Sequence, residues 1–224
     1  MRCATLVLAL FLGGVGQASA SILGVDFDGA PVDTGQFYIS FGYSFTVNNP
    51  VTVVALGNAD VNQDSFGGTG SQQVELWQVL TTDPKSGLPL TGTPLASATV
   101  DPSLDPLVGD GGGYWRFAAI TPVTLTVGQT YVVAGYGGAD YSANTPVIVN
   151  PNITFNYDLY DATDNNALTF PTASAGYTNI YPYLAGDFGG NVEFSSPEPA
   201  TAIIWSLLGT LALGLGRWRK RRAV

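Results

Sequence analysis

Hydrophobic and polar residues alternate along the middle of the chain, which is typical of β-strands with one buried face. The clearest run extends over residues 37–47, and no comparable 3.6-residue stripe indicates a helix between residues 21 and 196. The alternating apolar residues are Phe37, Ile39, Phe41, Tyr43, Phe45 and Val47. Further strands are predicted at 51–56, 74–80, 95–100, 114–120, 123–127, 131–136, 147–149, 153–157, 177–184 and 192–194.

Turn sequences separate these strands. Asn49-Pro50, residues 83–87, the glycine-rich residues 110–113 and Gly128-Gln129 are the clearest of them. Many short strands with frequent turns predict an antiparallel β-sandwich, jelly-roll or Ig-like. Residues 21–196 form one predicted domain, because no linker divides them and their length can bury a core without disulfides.

The N-terminus differs from this body. Arg2 precedes an apolar run from Ala4 to Val15, and small residues at 18–20 follow. This order predicts a signal peptide over residues 1–20 that is cut between Ala20 and Ser21. A buried N-terminal helix is the alternative, but three glycines in residues 13–16 would weaken it. The single cysteine, Cys3, lies in the peptide, so the exported chain would carry no thiol.

The C-terminus has three parts in order: the motif Pro197, Glu198, Pro199, an uncharged run over residues 200–216, and a basic end. The basic residues are Arg217, Arg219, Lys220, Arg221 and Arg222. A helix of this run would be about 26 Å long, near the short limit for crossing a hydrocarbon core of about 30 Å. The arginine cluster predicts a cytoplasmic end by the positive-inside rule, so the body would lie outside the inner membrane.

An ordinary single-pass anchor would explain the run and the arginines alone. The whole segment SPEPATAIIWSLLGTLALGLGRWRKRR, residues 196–222, resembles the PEP-CTERM sorting signal of Gram-negative bacteria, which we place at residues 197–224. The resemblance implies that an exosortase in the inner membrane recognises the tail and cleaves near the motif. The body would then reach the cell surface or the extracellular matrix of a bacterium that makes exopolysaccharide. This role requires no catalysis by the chain itself.

Charge is divided unevenly. Residues 21–196 contain two basic and sixteen acidic residues, a net charge of −14. Such a surface repels nucleic acid and favours solubility. It could also attract divalent cations.

A second resemblance concerns the body. The segments FTVNNPVTVVALG, QQVELWQV, LASATV and YWRFAAITPVTLTVGQTYVVAGY, within residues 35–136, resemble a β-sandwich family of unknown function that is often joined to PEP-CTERM tails. Many members have a histidine where this chain has Gln72-Gln73, so a role of that histidine does not transfer. The resemblance implies a β-sandwich and no particular ligand.

The chain contains no histidine, which excludes nucleophile–histidine catalysis and leaves zinc without its usual ligands. A glycoside hydrolase remains an alternative, since it needs only two facing carboxylates. Glu75 beside Trp77 is the candidate acid, although an outward-facing strand residue is the simpler interpretation. We expect no enzyme.

Calcium is the possible cofactor. Asp60, Asn62 and Asp64 place oxygen ligands at alternate positions, as calcium loops do, but the acid expected at the twelfth position is replaced by Ser71. A second group comprises Asp158, Asp161, Asp164, Asn165 and Asn166. The alternative in both cases is a solvated acidic turn.

Carbohydrate binding, as a module for the exopolysaccharide, is another alternative, because aromatic rings could stack on sugars. The candidates are Trp77, Trp115, Tyr114, Tyr136, Tyr141, Tyr181 and Tyr183. The two tryptophans lie within strong strand patterns and are predicted to pack in the core. Arg116 is predicted to pair with an acid on a neighbouring strand.

Overall fold

The structure is a computed structural model that describes residues 22–31, 39–68, 70–108, 114–137, 142–161, 167–174 and 185–195. This part of the chain is mainly β, and every strand pair is antiparallel. The predicted β class is therefore confirmed. The predicted signal peptide and C-terminal helix lie outside the described residues.

The described residues contain thirteen strands and one short 3-10 turn at Phe66–Gly68. They are β1 (Ile22–Leu23), β2 (Val25–Phe27), β3 (Ile39–Val47), β4 (Val51–Ala59), β5 (Gln72–Thr82), β6 (Pro89–Val100), β7 (Leu107–Val108), β8 (Trp115–Leu125), β9 (Thr130–Gly137), β10 (Ser142–Val149), β11 (Ile153–Tyr160), β12 (Ala185–Phe188) and β13 (Gly190–Phe194).

Two five-stranded sheets and one three-stranded sheet result. Their strand orders are β1-β13-β4-β8-β7, β11-β3-β9-β5-β6 and β12-β10-β2. We call the first the terminal sheet and the second the groove sheet. The sheets curl into a half-barrel around one core. The first and last described strands are neighbours, since Ile22 pairs with Phe194 and Leu23 with Glu193.

The core is filled by side chains from both five-stranded sheets. Val53 and Leu56 of the terminal sheet share one cluster with Phe45, Leu76 and Val133 of the groove sheet. The ring of Phe27, from the small sheet, stacks on fully buried Trp115 at a centroid distance of 4.7 Å. Burial of these apolar surfaces contributes the main stabilisation, at roughly 25 cal/mol per Å².

A second apolar cluster lies on the opposite, outer face of the groove sheet. It contains Trp77, Val132, Ala134 and Leu159, with Phe170 packed against it. The rings of Trp77 and Phe170 meet edge to face at 5.6 Å. An added Cβ on Gly92 would lie 2.4 Å from the Phe170 ring, so only glycine leaves room for this ring. Residues 167–174 therefore cover part of a sheet face that would otherwise meet water.

Polar contacts hold residues 167–174 on this face. The Thr169 amide donates to the Ser40 hydroxyl at 2.9 Å, and the Thr169 hydroxyl donates to Asp161. The Ser174 hydroxyl donates to the buried carboxylate of Asp158 at 2.9 Å. The second acidic group of the sequence thus uses two of its members, Asp158 and Asp161, to dock this segment. Asp164, Asn165 and Asn166 lie outside the described residues.

The strands of the structure differ from the predicted ones in two respects: two predicted strands are one, and four short strands lack a sequence signal. The strands predicted at 114–120 and 123–127 are one strand, β8, whose ladder with β4 shifts register between Val53 and Ala55. Exposed Pro122 lies opposite that irregularity, where its missing N–H interrupts no regular pair. The short strands β1, β2, β7 and β12 were not predicted. Phe37 and the strand predicted at 177–184 lie outside the described residues.

The two large sheets approach each other closely where β13 meets β9. A Cβ added to Gly190 would lie 2.4 Å from the backbone of Ala134, and one added to Gly135 would lie 2.0 Å from the Asn58 side-chain oxygen. Side chains would separate the strands here. These two glycines therefore allow the half-barrel to curl.

Candidate functional site

Asp60 lies directly after β4, at the start of the loop predicted to bind calcium. Its side chain is fully buried, and Oδ2 lies 2.6 Å from Nε of Arg116 on the adjacent strand β8. Both oxygens also accept backbone N–H bonds, Oδ1 from Asp64 at 3.0 Å and from Phe66 at 3.4 Å, and Oδ2 from Ser65 at 3.3 Å. The prediction that Arg116 pairs with an acid is confirmed, and the acid, Asp60, directly follows β4, the strand that neighbours β8.

The Asp60 carboxylate holds an unusual turn. Gln63, Ser65 and Phe66 have φ values of 57°, 68° and 59°, in the left-handed region that costs non-glycine residues roughly 1–2 kcal/mol each. The turn buries the Phe66 ring completely. The hydrogen bonds to Asp60 offset the cost of this backbone conformation. Asp60 therefore has a structural role in the loop.

Arg116 joins this turn to a second loop. Its Nη1 donates to the carbonyl oxygens of Pro102 at 3.2 Å and Asp105 at 2.9 Å. Three of its hydrogen bonds therefore end on buried or half-buried oxygens. The Arg116 guanidinium thus holds the 60–66 turn and the 101–105 turn against the start of β8.

The calcium hypothesis for Asp60, Asn62 and Asp64 stays a prediction, and the contacts do not favour it. Asp60 already accepts bonds from Arg116 and three amides, while Oδ1 of Asp64 accepts one from the Gly67 amide. Asn62 is exposed. In the part of the chain that the structure describes, no group of three or more His, Cys, Asp or Glu residues could hold a metal ion.

The four candidate stacking residues that lie within the described ranges are buried or half-buried. Trp115 is fully buried in the core, as predicted. Trp77 is also buried, but it lies in the outer cluster under Phe170. Tyr114 is half-buried and packs against Phe27. Tyr136 is half-buried. Tyr141, Tyr181 and Tyr183 lie outside the described residues.

Glu75 is half-buried on the outer face of β5. Burial raises the pKa of its carboxyl above the usual value. The small cleft beside it, of about 290 Å³, is lined by Gln73, Val74, Ser97, Ala98, Thr99 and Leu168 in addition to Glu75. A glycoside hydrolase would require a second carboxylate facing the first. The lining of this cleft contains none.

The outer face of the groove sheet also forms an open groove of about 460 Å³. It runs between β11 and the hairpin that joins β5 to β6. Its lining residues are Ser44, Thr46, Thr82, Gly87, Pro89, Thr130, Thr154, Phe155, Asn156 and Tyr157. The hydroxyl of Tyr157 donates to the carbonyl of Ser86 at 2.8 Å, which joins the β11 wall to the hairpin.

Sequence reasoning did not identify this groove. Ser44 and Thr46 are the polar partners in the alternating run of β3, and such positions usually indicate only a solvated strand face. The signal in the sequence was the absence of charge from that face. The pairing of β3 with β9 and β11 determines which further hydroxyls lie beside this strand face.

The predicted sorting residues, Pro197, Glu198, Pro199, Arg217, Arg219, Lys220, Arg221 and Arg222, lie outside the described residues, as do Ala20 and Ser21. Within the described ranges, no helix is long and apolar enough to cross a membrane. No known family model, curated protein or solved structure matches the chain.

Proposed function

We propose that this chain is an exported, non-catalytic protein of the bacterial cell surface or extracellular matrix. Its C-terminal segment would hold it at the inner membrane until an exosortase processes it near Pro197, Glu198 and Pro199. The observation that carries the proposal is the order of motif, uncharged run and basic cluster at residues 197–222, together with an export signal at the other end.

The positions of the first and last described strands are compatible with this arrangement. The first strand begins at Ile22, directly after the predicted cut between Ala20 and Ser21. The last strand ends at Phe194, and the Ser195 amide donates to the Thr52 carbonyl at 2.8 Å. Both predicted cleavage sites thus lie outside the described strands, so neither cut would remove one of those strands.

The body suits an extracellular surface. Its core needs no disulfide, and its net charge of −14 keeps like molecules apart in solution. Within the β class, we assign a two-layer sandwich of the jelly-roll or Ig-like kind, supported by the single core that both large sheets share. The lone carboxyl in the Glu75 cleft supports a non-catalytic role over a hydrolase.

Mass spectrometry of the protein from membrane and medium fractions tests the proposal. In a host with an exosortase, we expect a mature N-terminus at Ser21 and a C-terminus near residues 197–199. Replacement of Pro197, Glu198 and Pro199 by alanine should retain the intact tail in the membrane. Ser196→Ala, beside the motif, is the matched control and should be processed normally. A wild-type chain that still ends at Val224 in that host would refute sorting by cleavage.

A further inference from the structure

The floor of the groove is a row of threonines on three adjacent strands. Thr46 of β3 pairs with Thr154 of β11 on one side and with Thr130 of β9 on the other. Paired residues of antiparallel strands point to the same face of a sheet. The hydroxyls of Thr46 and Thr130 share a hydrogen bond of 3.1 Å, and the Asn156 amide group donates to the Thr46 hydroxyl at 3.0 Å.

These contacts leave hydrogen-bonding capacity unused on the groove floor. A hydroxyl can donate once and accept twice, and a side-chain amide can donate twice and accept twice. The Asn156–Thr46–Thr130 chain uses one amide donor and one shared hydroxyl bond. Thr130 therefore keeps part of its hydrogen-bonding capacity, and Asn156 keeps its second N–H donor and its carbonyl acceptor. A ligand whose own groups both donate and accept, such as a hydroxyl, matches this pattern.

A buried hydroxyl at the same place is independent support. Ser44 lines the groove, its side chain is fully buried, and its Oγ has no hydrogen-bond partner among the described residues. Leaving a buried polar group unsatisfied costs about 1–3 kcal/mol. A polar ligand group on the groove floor would remove that cost, whereas an apolar ligand would not.

The groove carries no charge. None of its ten lining residues is acidic or basic. On the hairpin wall, Asp83 accepts bonds from the amides of Lys85 and Ser86, so its carboxylate is directed into its own turn. An ionic ligand would lose hydration here without gaining a counter-charge, which is costly. The half-buried ring of Tyr157, at the edge, offers an apolar surface beside the hydroxyls.

We propose that this groove binds a neutral, polyhydroxylated ligand, namely a short segment of an uncharged polysaccharide. Its volume of about 460 Å³ lies in the lower half of the range of about 300–1,000 Å³ typical of ligand sites, and it is open to solvent, so a chain-shaped ligand could extend beyond it. Ser44, Thr130 and Asn156 form hydrogen bonds to the sugar hydroxyls, and the Tyr157 ring contacts the sugar face. The inference does not depend on processing of the tail.

Calorimetric titration of the full-length chain tests the inference. The protein is held in a detergent without a sugar head group, and the probes are cellohexaose, laminarihexaose, maltohexaose and an oligogalacturonate of similar length. We expect at least one neutral hexasaccharide to bind and the acidic oligomer not to bind. Thr130→Val and Asn156→Ala should each weaken that binding about tenfold, as expected for the loss of one or two hydrogen bonds.

The chain offers a matched control in the terminal sheet. Thr52 and Thr124 form a similar cross-strand hydroxyl pair at 3.2 Å, outside the groove. Thr52→Val should leave the affinity unchanged, and thermal melting should show that all variants are folded. The inference is overturned if no neutral hexasaccharide binds, if only the acidic oligomer binds, or if Thr130→Val and Thr52→Val behave alike.

Discussion

Replacing Arg116 by methionine should destabilise the fold far more than any other change of a basic side chain in residues 21–196. Only Lys85 and Arg116 are basic in this range. Methionine retains much of the length and packing of the arginine stem but donates no hydrogen bond. The substitution therefore removes the 2.6 Å contact with Asp60 and the bonds to the carbonyls of Pro102 and Asp105.

The size of the effect follows from burial. Asp60 is fully buried, and breaking a buried ion pair by removing one partner costs about 3–5 kcal/mol. Three backbone amides still donate to Asp60 in the variant, so we expect a loss near the lower limit, about 3 kcal/mol. That is a large fraction of a total stability of about 5–15 kcal/mol.

Urea unfolding followed by tryptophan fluorescence measures this loss. Lys85→Met is the matched control and should change stability by less than about 0.5 kcal/mol, because Lys85 is exposed. A double-mutant cycle with Asp60→Asn should give a coupling energy above about 1 kcal/mol, since both groups belong to one contact. A loss below about 1 kcal/mol for Arg116→Met, or strictly additive effects in the cycle, would refute the reasoning.

Four further predictions concern the core, the outer cluster and the dependence of stability on pH. Asn191→Ala should lower the free energy of unfolding in urea by about 3 kcal/mol, because buried Asn191 accepts hydrogen bonds from Tyr43 and Val192 and donates one to Val25. Asn48→Ala, at an exposed position, is the control, and equal losses in the two variants would contradict this prediction. Phe170→Ala should shift tryptophan emission to longer wavelength by uncovering Trp77, and Gly92→Ala should do the same by displacing the ring; unchanged emission in both would disprove the covering role. Glu75→Gln should stabilise the protein only above the usual glutamate pKa, because burial raises the pKa of Glu75 and the charged form therefore disfavours the fold as pH rises. Asp101→Asn should do the opposite, since bonds from Ser103 lower the pKa of Asp101 and its stabilisation is lost as pH falls; melting curves across pH that moved together would refute both signs.

The strands were largely predictable because each is a local pattern. The alternation around Tyr43 and Phe45 gave β3, and both residues are fully buried, as period two requires. Short strands such as β1 and β7 have two residues each, too few to show a period. The sequence predicted two strands, at 114–120 and 123–127, but β8 spans both because a register shift in its ladder with β4 absorbs the irregularity, which only the pairing of the strands could reveal.

The candidate sites show the same division. The sequence alone placed side-chain oxygens at Asp60, Asn62 and Asp64 with calcium-like spacing, yet spacing does not specify what each oxygen already binds. Arg116 lies 56 positions away along the chain and reaches Asp60 only because β4 and β8 pair. Trp77 was predicted to be buried and is, but by Phe170 on the outer face rather than by the main core.

The sequence by itself therefore determined the β class, the charge of the body and the predicted sorting segments at both ends, because these depend on composition and on neighbours along the chain. Only the tertiary structure decided which acid pairs with Arg116 and which hydroxyls form the groove. Thr46, Thr130 and Thr154 are distant in sequence and meet through strand register, which fixes side-chain neighbours that no local pattern encodes.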